Sequence, residues 1–212
     1  MDVKTLITVA ALLAVAASLT FAEVEAVNMT LFYESLCGYS RRFILDQVYP
    51  TWKKLSNKYL GIDFVPCGGT EYYDEGEGHF SFTCVRGRDE CHANVMQACV
   101  AHLFRDDQEF VVKFVACIME TAHPDRAGPQ CAESLGTDFE KIQQCMIGNE
   151  GEQLMVTACN RHKSANPPIT VVPWMLFNGE HDNHDHRNSL DNLTSVVCGK
   201  IKQDKPDVCS HF

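Results

Sequence analysis

The chain has 212 residues, 45% of them hydrophobic, and 18 Lys and Arg set against 28 Asp and Glu give a formal charge of −10. That acidic balance excludes a phosphate-backbone binder, which needs clustered Lys and Arg to release counterions, so no nucleic-acid partner is expected. Eleven cysteines point to an oxidising compartment, where they cross-link the chain, and their odd number leaves at least one thiol free or paired outside it.

Met1 to Lys4 form a short polar start, Leu6 to Thr20 run apolar, and Thr20-Phe21-Ala22 offers small residues to a signal peptidase. Residues 1–22 therefore read as a removed signal peptide, with no membrane span elsewhere, and residues 23–212 as one domain of about 190 residues, enough for a real core. Val27 to Tyr33 is β-branched, apolar and aromatic, as a buried strand requires, and Glu34-Ser35-Leu36-Cys37-Gly38 breaks the run. Ile44, Leu45, Val48, Trp52 and Leu55 recur at helical spacing, which places Cys37 at a strand-to-helix junction. Ile62 to Val65 reads as a second strand ended by Pro66 and Gly68-Gly69, completing a βαβ unit.

Glu90 to Glu120 and Asp138 to Arg161 carry apolar positions at helical spacing and flank the Pro- and Gly-containing stretch His123 to Gly136, so a helical insertion is expected over about 80–165. Ile169 to Phe177 reads as a strand around Pro173, Asn178-Gly179 as a hairpin signal, and Leu190, Leu193, Val196, Val197 and Ile201 as a closing helix. The sequons Asn28-Met29-Thr30 and Asn192-Leu193-Thr194 fit passage through the secretory pathway, with Asn28 and Asn192 as the glycosylation candidates.

This order of elements resembles the thioredoxin fold: α/β, here with a disulfide-rich helical insertion. In that fold a late cis-proline faces the active-site cysteine, and the matching position is Pro173 in Val172-Pro173-Trp174. The segment Cys84-Val85-Arg86-Gly87-Arg88-Asp89-Glu90-Cys91-His92-Ala93-Asn94, followed by Cys99, resembles the signature of the gamma-interferon-inducible lysosomal thiol reductase family. Its frame is Cys84, Gly87, Glu90, Cys91, Asn94 and Cys99; Val85-Arg86 stands where members often carry Gln-His. The similarity continues through Gln153-Leu154-Met155, Val172-Pro173-Trp174, Asn178-Gly179 and Lys205-Pro206-Asp207-Val208-Cys209.

The resemblance implies reduction of protein disulfides by two cysteines spaced two residues apart, with no cofactor and no metal. Here the matching segment is Cys37-Gly38-Tyr39-Ser40: the nucleophilic position is kept and the resolving one is Ser40. An unperturbed thiol of pKa about 8.5 is ionised in roughly one molecule in three thousand at pH 5, so acid activity requires a favoured thiolate, for which a helix N-terminus and Arg41 or Arg42 are the available means. Ser40 can hydrogen-bond a thiolate but forms no S–S bond, so release must await an external thiol. The expected partners are disulfide-containing proteins and small thiols.

Within the family framework Cys84, Cys91, Cys99, Cys117, Cys131, Cys145, Cys198 and Cys209 look shared, and Cys67 and Cys159 look additional. A pairing of the additional two leaves Cys37 as the odd thiol. Competing readings are Cys37 as a structural half-cystine and a retired site on a secreted binding protein. A cysteine protease ranks low for want of a paired histidine signature. Glu90-Cys91-His92 fits the disulfide frame better than a metal site, and the run His181 to His186 reads as a solvated loop with weak metal binding or pH sensing as alternatives. The ending Cys209-Ser210-His211-Phe212 is no ER-retrieval tetrapeptide, so secretion is expected, with endolysosomal delivery left open.

Overall fold

The computed structural model describes residues 25–211; the signal segment expected over 1–22 lies outside them. Strand β1, Val27–Tyr33, buries every side chain except Asn28 and Thr30, so it needs cover on both faces and a neighbour on both edges. It is the middle strand of a three-stranded sheet in the order β2-β1-β5. β2, Leu60–Pro66, runs parallel to it, with Val27 opposite Leu60 and Tyr33 opposite Pro66. β5, Trp174–Phe177, runs antiparallel, with Phe32 opposite Trp174 and Met29 opposite Phe177.

Parallel strands require a crossover. Here it is α1, Gly38–Phe43, a π-helical turn at Ile44–Val48, and α2, Tyr49–Tyr59. Phe43, Ile44, Val48, Trp52 and Leu55 from this crossover are buried in the core with Met29, Leu31 and Tyr33. Each such side chain taken from water contributes about 1.5–3 kcal/mol, which holds the helix to the sheet.

The middle is helical as expected, but more finely divided. It contains α3, Arg88–Leu103, then α4, Gln108–Glu120, α5, Gly128–Ser134, α6, Glu140–Ile147, and α7, Asn149–Lys163. Asp107 splits the first pair by capping α4, accepting the Phe110 N–H at 3.0 Å. α5 lies inside the stretch read as a connection, because Pro129 sits in its first turn, where a missing N–H costs nothing. α3 packs on α6, α7 and β2 and joins the insertion to the sheet.

Three readings are corrected. A β-hairpin, β3 at Glu71–Gly76 and β4 at His79–Thr83, precedes the helices, so the helical insertion expected from about 80 begins only at Arg88. The late strand begins only at Trp174: Pro173 has no N–H to give a ladder, and Ile169 to Val172 stay out of the sheet. The histidine run is not a loop, since Asp182 caps α8, Asn183–Lys200, by accepting the N–H groups of His184 and Asp185 at 2.8 Å each.

Five disulfides link Cys67 to Cys159, Cys84 to Cys91, Cys99 to Cys145, Cys117 to Cys131 and Cys198 to Cys209. Cys67–Cys159 ties the end of β2 to α7 across 92 residues, whereas Cys84–Cys91 closes only 7. In the chain-entropy account the long link is worth about 4 kcal/mol even when Cys99–Cys145 shortens its loop, and the short one about 2. Denaturant unfolding of a Cys67→Ala/Cys159→Ala variant is expected to show about twice the loss of a Cys84→Ala/Cys91→Ala variant; equal losses would contradict that account.

Candidate active site around Cys37

All eleven cysteines are described, and Cys37 is the one left free. It caps α1, with its N–H donating to the Glu34 carbonyl at 3.2 Å and its own carbonyl accepting the Arg41 N–H at 2.9 Å. The residue is 3% exposed. Its Sγ lies 3.9 Å from the Val172 carbonyl oxygen, so the residue before cis-Pro173 is the one that meets the sulfur. The two segments are 135 residues apart in sequence and are brought together by the β1–β5 pairing.

Ser40 is fully buried, and its Oγ accepts the Glu34 N–H at 3.4 Å; among the described residues it makes no hydrogen bond to Cys37. Neither arginine turns to the sulfur. Arg41 donates to the Glu120 carbonyl at 2.6 Å, at the negative C-terminal end of α4, and Arg42 pairs with exposed Asp46 at 3.5 Å.

The signature residues meet the same turn from behind. Gly87 has φ +81 and ψ −164, a conformation open essentially to glycine, and from it the chain enters α3. Glu90, Asn94 and Gln97 then fall on one face of α3, each completely buried. Asn94 Oδ1 accepts both the Ser35 N–H, at 3.0 Å, and the Ser35 hydroxyl, at 2.5 Å. Gln97 Nε2 donates to Ser35 Oγ at 2.6 Å, and its Oε1 accepts the Tyr33 hydroxyl at 2.6 Å. Burial drives the Tyr33 phenol well above its ordinary pKa, so it stays a donor. Cys99 anchors the helix to α6 through Cys145. The signature thus holds Glu34 and Ser35, the residues leading into Cys37.

Pro173 is buried and lines a groove of about 570 Å³ with Tyr39, Phe43, Val171, His186 and Leu190 among its walls. Tyr39 is 79% exposed and Val171 59%, so the groove beside Cys37 offers apolar surface to an incoming chain. His186 of that wall belongs to an aromatic cluster: Trp174 stacks on His181 with centroids 3.9 Å apart and lies 5.0 Å from His186. Burial, and then the neighbouring His181 and Arg187, hold the His186 imidazole below its usual pKa. Asp182, His184 and Asp185 bring possible ligand atoms within 4.8 Å of one another, but the Asp182 carboxylate is already occupied as the cap.

Asn28 is exposed on β1, and Asn192 is exposed at a non-helical step, φ −151 and ψ 74, within α8. Thr194 of the second sequon is buried against Thr51, with hydroxyls 2.9 Å apart. Two charged residues of the site escaped sequence reading. Glu34, read only as a strand breaker, is buried beside Cys37, and Arg86, noted only as a departure from the signature, is its ion-pair partner.

Among the described residues no helix is long and apolar enough to cross a membrane. Solved thioredoxin-like oxidoreductases share this architecture. Reduced DsbA from Mycobacterium tuberculosis superposes with a TM-score of 0.58 at 15% identity, over 91% of this chain and 95% of that one. The thiol-disulfide oxidoreductase MdbA from Actinomyces oris gives 0.56 at 11% identity, over 85% and 82%. Identities this low establish the fold alone. The sequence is 30% identical over 188 residues to the gamma-interferon-inducible lysosomal thiol reductase of Carassius auratus, covering 86% of this chain and 72% of that one. The Mus musculus protein of the same name is also 30% identical, over 187 residues, with 87% and 72% covered. Residues 28–135 match the family model described as gamma interferon inducible lysosomal thiol reductase (GILT). With the signature helix, the cis-proline and the cysteine at the first helix in place, the chain belongs to the GILT thiol reductase family.

Proposed function

We propose that the protein is an exported thiol oxidoreductase that acts on protein disulfides through Cys37 alone, with turnover set by an external thiol. The observation that carries this reading is the placement of the one free thiol at a helix N-terminus against the residue before a buried cis-proline. The thiolate is the form of such a sulfur that attacks a disulfide.

In the first step the Cys37 thiolate attacks one sulfur of a substrate disulfide. A Cys37–substrate S–S bond forms and the other substrate sulfur leaves as a thiolate that takes a proton. Ser40 cannot resolve this mixed disulfide. A small thiol attacks Cys37 Sγ instead, releasing the second substrate thiol, and a second small thiol regenerates Cys37. Overall, one substrate disulfide is reduced as two small thiols become one disulfide. The groove at Pro173 is where an extended substrate segment would lie, with Tyr39 and Val171 supplying apolar contacts.

A second reading, a binding protein on a retired site, draws on the Ser40 hydroxyl, which serves the Glu34 amide rather than the sulfur. Reduction of a denatured disulfide protein with a small thiol, at acidic and neutral pH, separates the two. Cys37→Ala is expected to fall to the rate of the small thiol alone; a variant as active as the wild type would leave the binding role. Without added thiol the wild type is expected to accumulate covalent Cys37–substrate adducts, visible on non-reducing gels. Ser40→Cys, nearly the same size, is expected to gain turnover and lose those adducts; persistence of the adducts would mean that the sulfur at position 40 cannot reach Cys37.

A further inference from the structure

Arg86 has no part in the chemistry above, yet its guanidinium bridges two carboxylates that the fold has taken out of water. The Glu34 side chain is 6% exposed and that of Glu90 0%, while Arg86 reaches them from the rim at 38%. Nη1 donates to the Glu34 carboxylate and, at 3.1 Å, to Glu90 Oε2. The Arg86 N–H donates to Glu90 Oε1 at 3.0 Å, which fixes the start of α3 to the same cluster. Partial burial alone would weaken the guanidinium charge, but hydrogen bonds and attraction from Glu34 and Glu90 outweigh it and hold the arginine above its ordinary pKa.

Glu34 carries this clamp into the active site. Its carbonyl accepts the Cys37 N–H and its N–H donates to Ser40, while its Oε1 accepts the Gly69 N–H at 2.9 Å. The turn after β2 is shaped around the side chain. Gly68 has φ +53, and a Cβ there would collide with the Glu34 side chain. The remaining titratable neighbour is His162 in the last turn of α7, held below its usual pKa by burial against the pull of Glu34, with the Lys163 charge beyond it. Two buried carboxylates thus depend on one cation, and without it their repulsion would act on the residue that hydrogen-bonds both Cys37 and Ser40.

We infer that Arg86 is a positioning residue: it clamps Glu34 against Glu90 and thereby fixes the Glu34–Cys37 turn and the setting of the thiol. The inference rests on the reading of Cys37 as the reacting thiol. The test is the rate at which iodoacetamide alkylates Cys37 in the disulfide-intact mature chain between pH 4 and 9, followed by peptide mass, with melting temperature measured in parallel. Arg86→Met leaves uncompensated negative charge behind the turn, which disfavours the thiolate. The pH midpoint of alkylation is expected to rise by about half a unit or more. Arg86→Lys, which keeps the charge, is expected to restore most of that shift. Arg86→His is expected to follow the wild type below about pH 6, where imidazole is charged, and Arg86→Met above about pH 7.5.

A midpoint unmoved in Arg86→Met, even with a lowered melting temperature, would overturn the inference. Should that variant not fold, Arg86→His decides the matter in the same way, since a profile parallel to the wild type across pH 6 to 8 would overturn it. A wild type whose Cys37 is not alkylated at any pH would remove the reading of Cys37 as nucleophile and this inference with it. That outcome is distinct from a reactive wild type insensitive to position 86.

Discussion

The constraint on which the rest of the structure depends is the turn from Tyr33 to Cys37, where a strand whose C-terminal half is fully buried must end inside the protein rather than at its surface. Backbone and side-chain polar groups leaving such a strand cannot be satisfied by water, and each one left unpaired costs about 1–3 kcal/mol. The chain supplies the partners from α3. Asn94 takes the Ser35 amide and hydroxyl, Gln97 links Ser35 to Tyr33, and Glu90 with Arg86 holds the Glu34 side chain. The signature is therefore the mould of the turn into Cys37, and its polar residues sit at one-turn intervals because only one face of a helix can reach it.

A helix that turns a polar face inward gains less from burial than an apolar one, and α3 has Glu90, Asn94 and Gln97 where a core helix would carry leucines. The cross-links offset this. Cys84–Cys91 closes the entry to α3, Cys99–Cys145 fastens its middle to α6, and Cys67–Cys159 pulls α7 against the end of β2. Thr70 joins two of these links, with its hydroxyl donating to the Cys67 carbonyl at 2.6 Å and lying 3.4 Å from Cys84 Sγ. The disulfides hold in place a polar interface that hydrophobic burial alone would hold weakly.

What could be read in advance follows the same division between local and distant causes. Val27 to Tyr33, the crossover helix and the helical middle announce themselves by apolar periodicity, and the parity of the cysteines singles out a free thiol. The hairpin Glu71–Thr83 gave a weaker signal, because its strands are mostly exposed and the first is acidic, although Phe80 and Phe82 do alternate beside the Gly76-Glu77-Gly78 turn. The start of α8 was also legible in principle: Asp182 followed three residues later by Asp185 has the form of a cap, masked by the histidines between and after them. Glu34 was not legible at all. A charged residue after a strand is normally a solvated end, and only its pairing with Arg86, 52 residues on, makes burial tolerable.

Ser40 shows how the local network bears on the chemistry. Its side chain is enclosed, and its oxygen accepts the amide of the same Glu34 that Arg86 anchors. A hydroxyl oxygen is a better acceptor for that N–H than a thiol sulfur, so serine at this position fits the turn more firmly than the cysteine a dithiol cycle would require. Under the monothiol reading, the substitution trades a self-contained cycle for a better-ordered nucleophile and makes release depend on the thiols around the protein. Lifetime on the substrate would then be set by the compartment: short where small thiols are abundant, long where they are scarce.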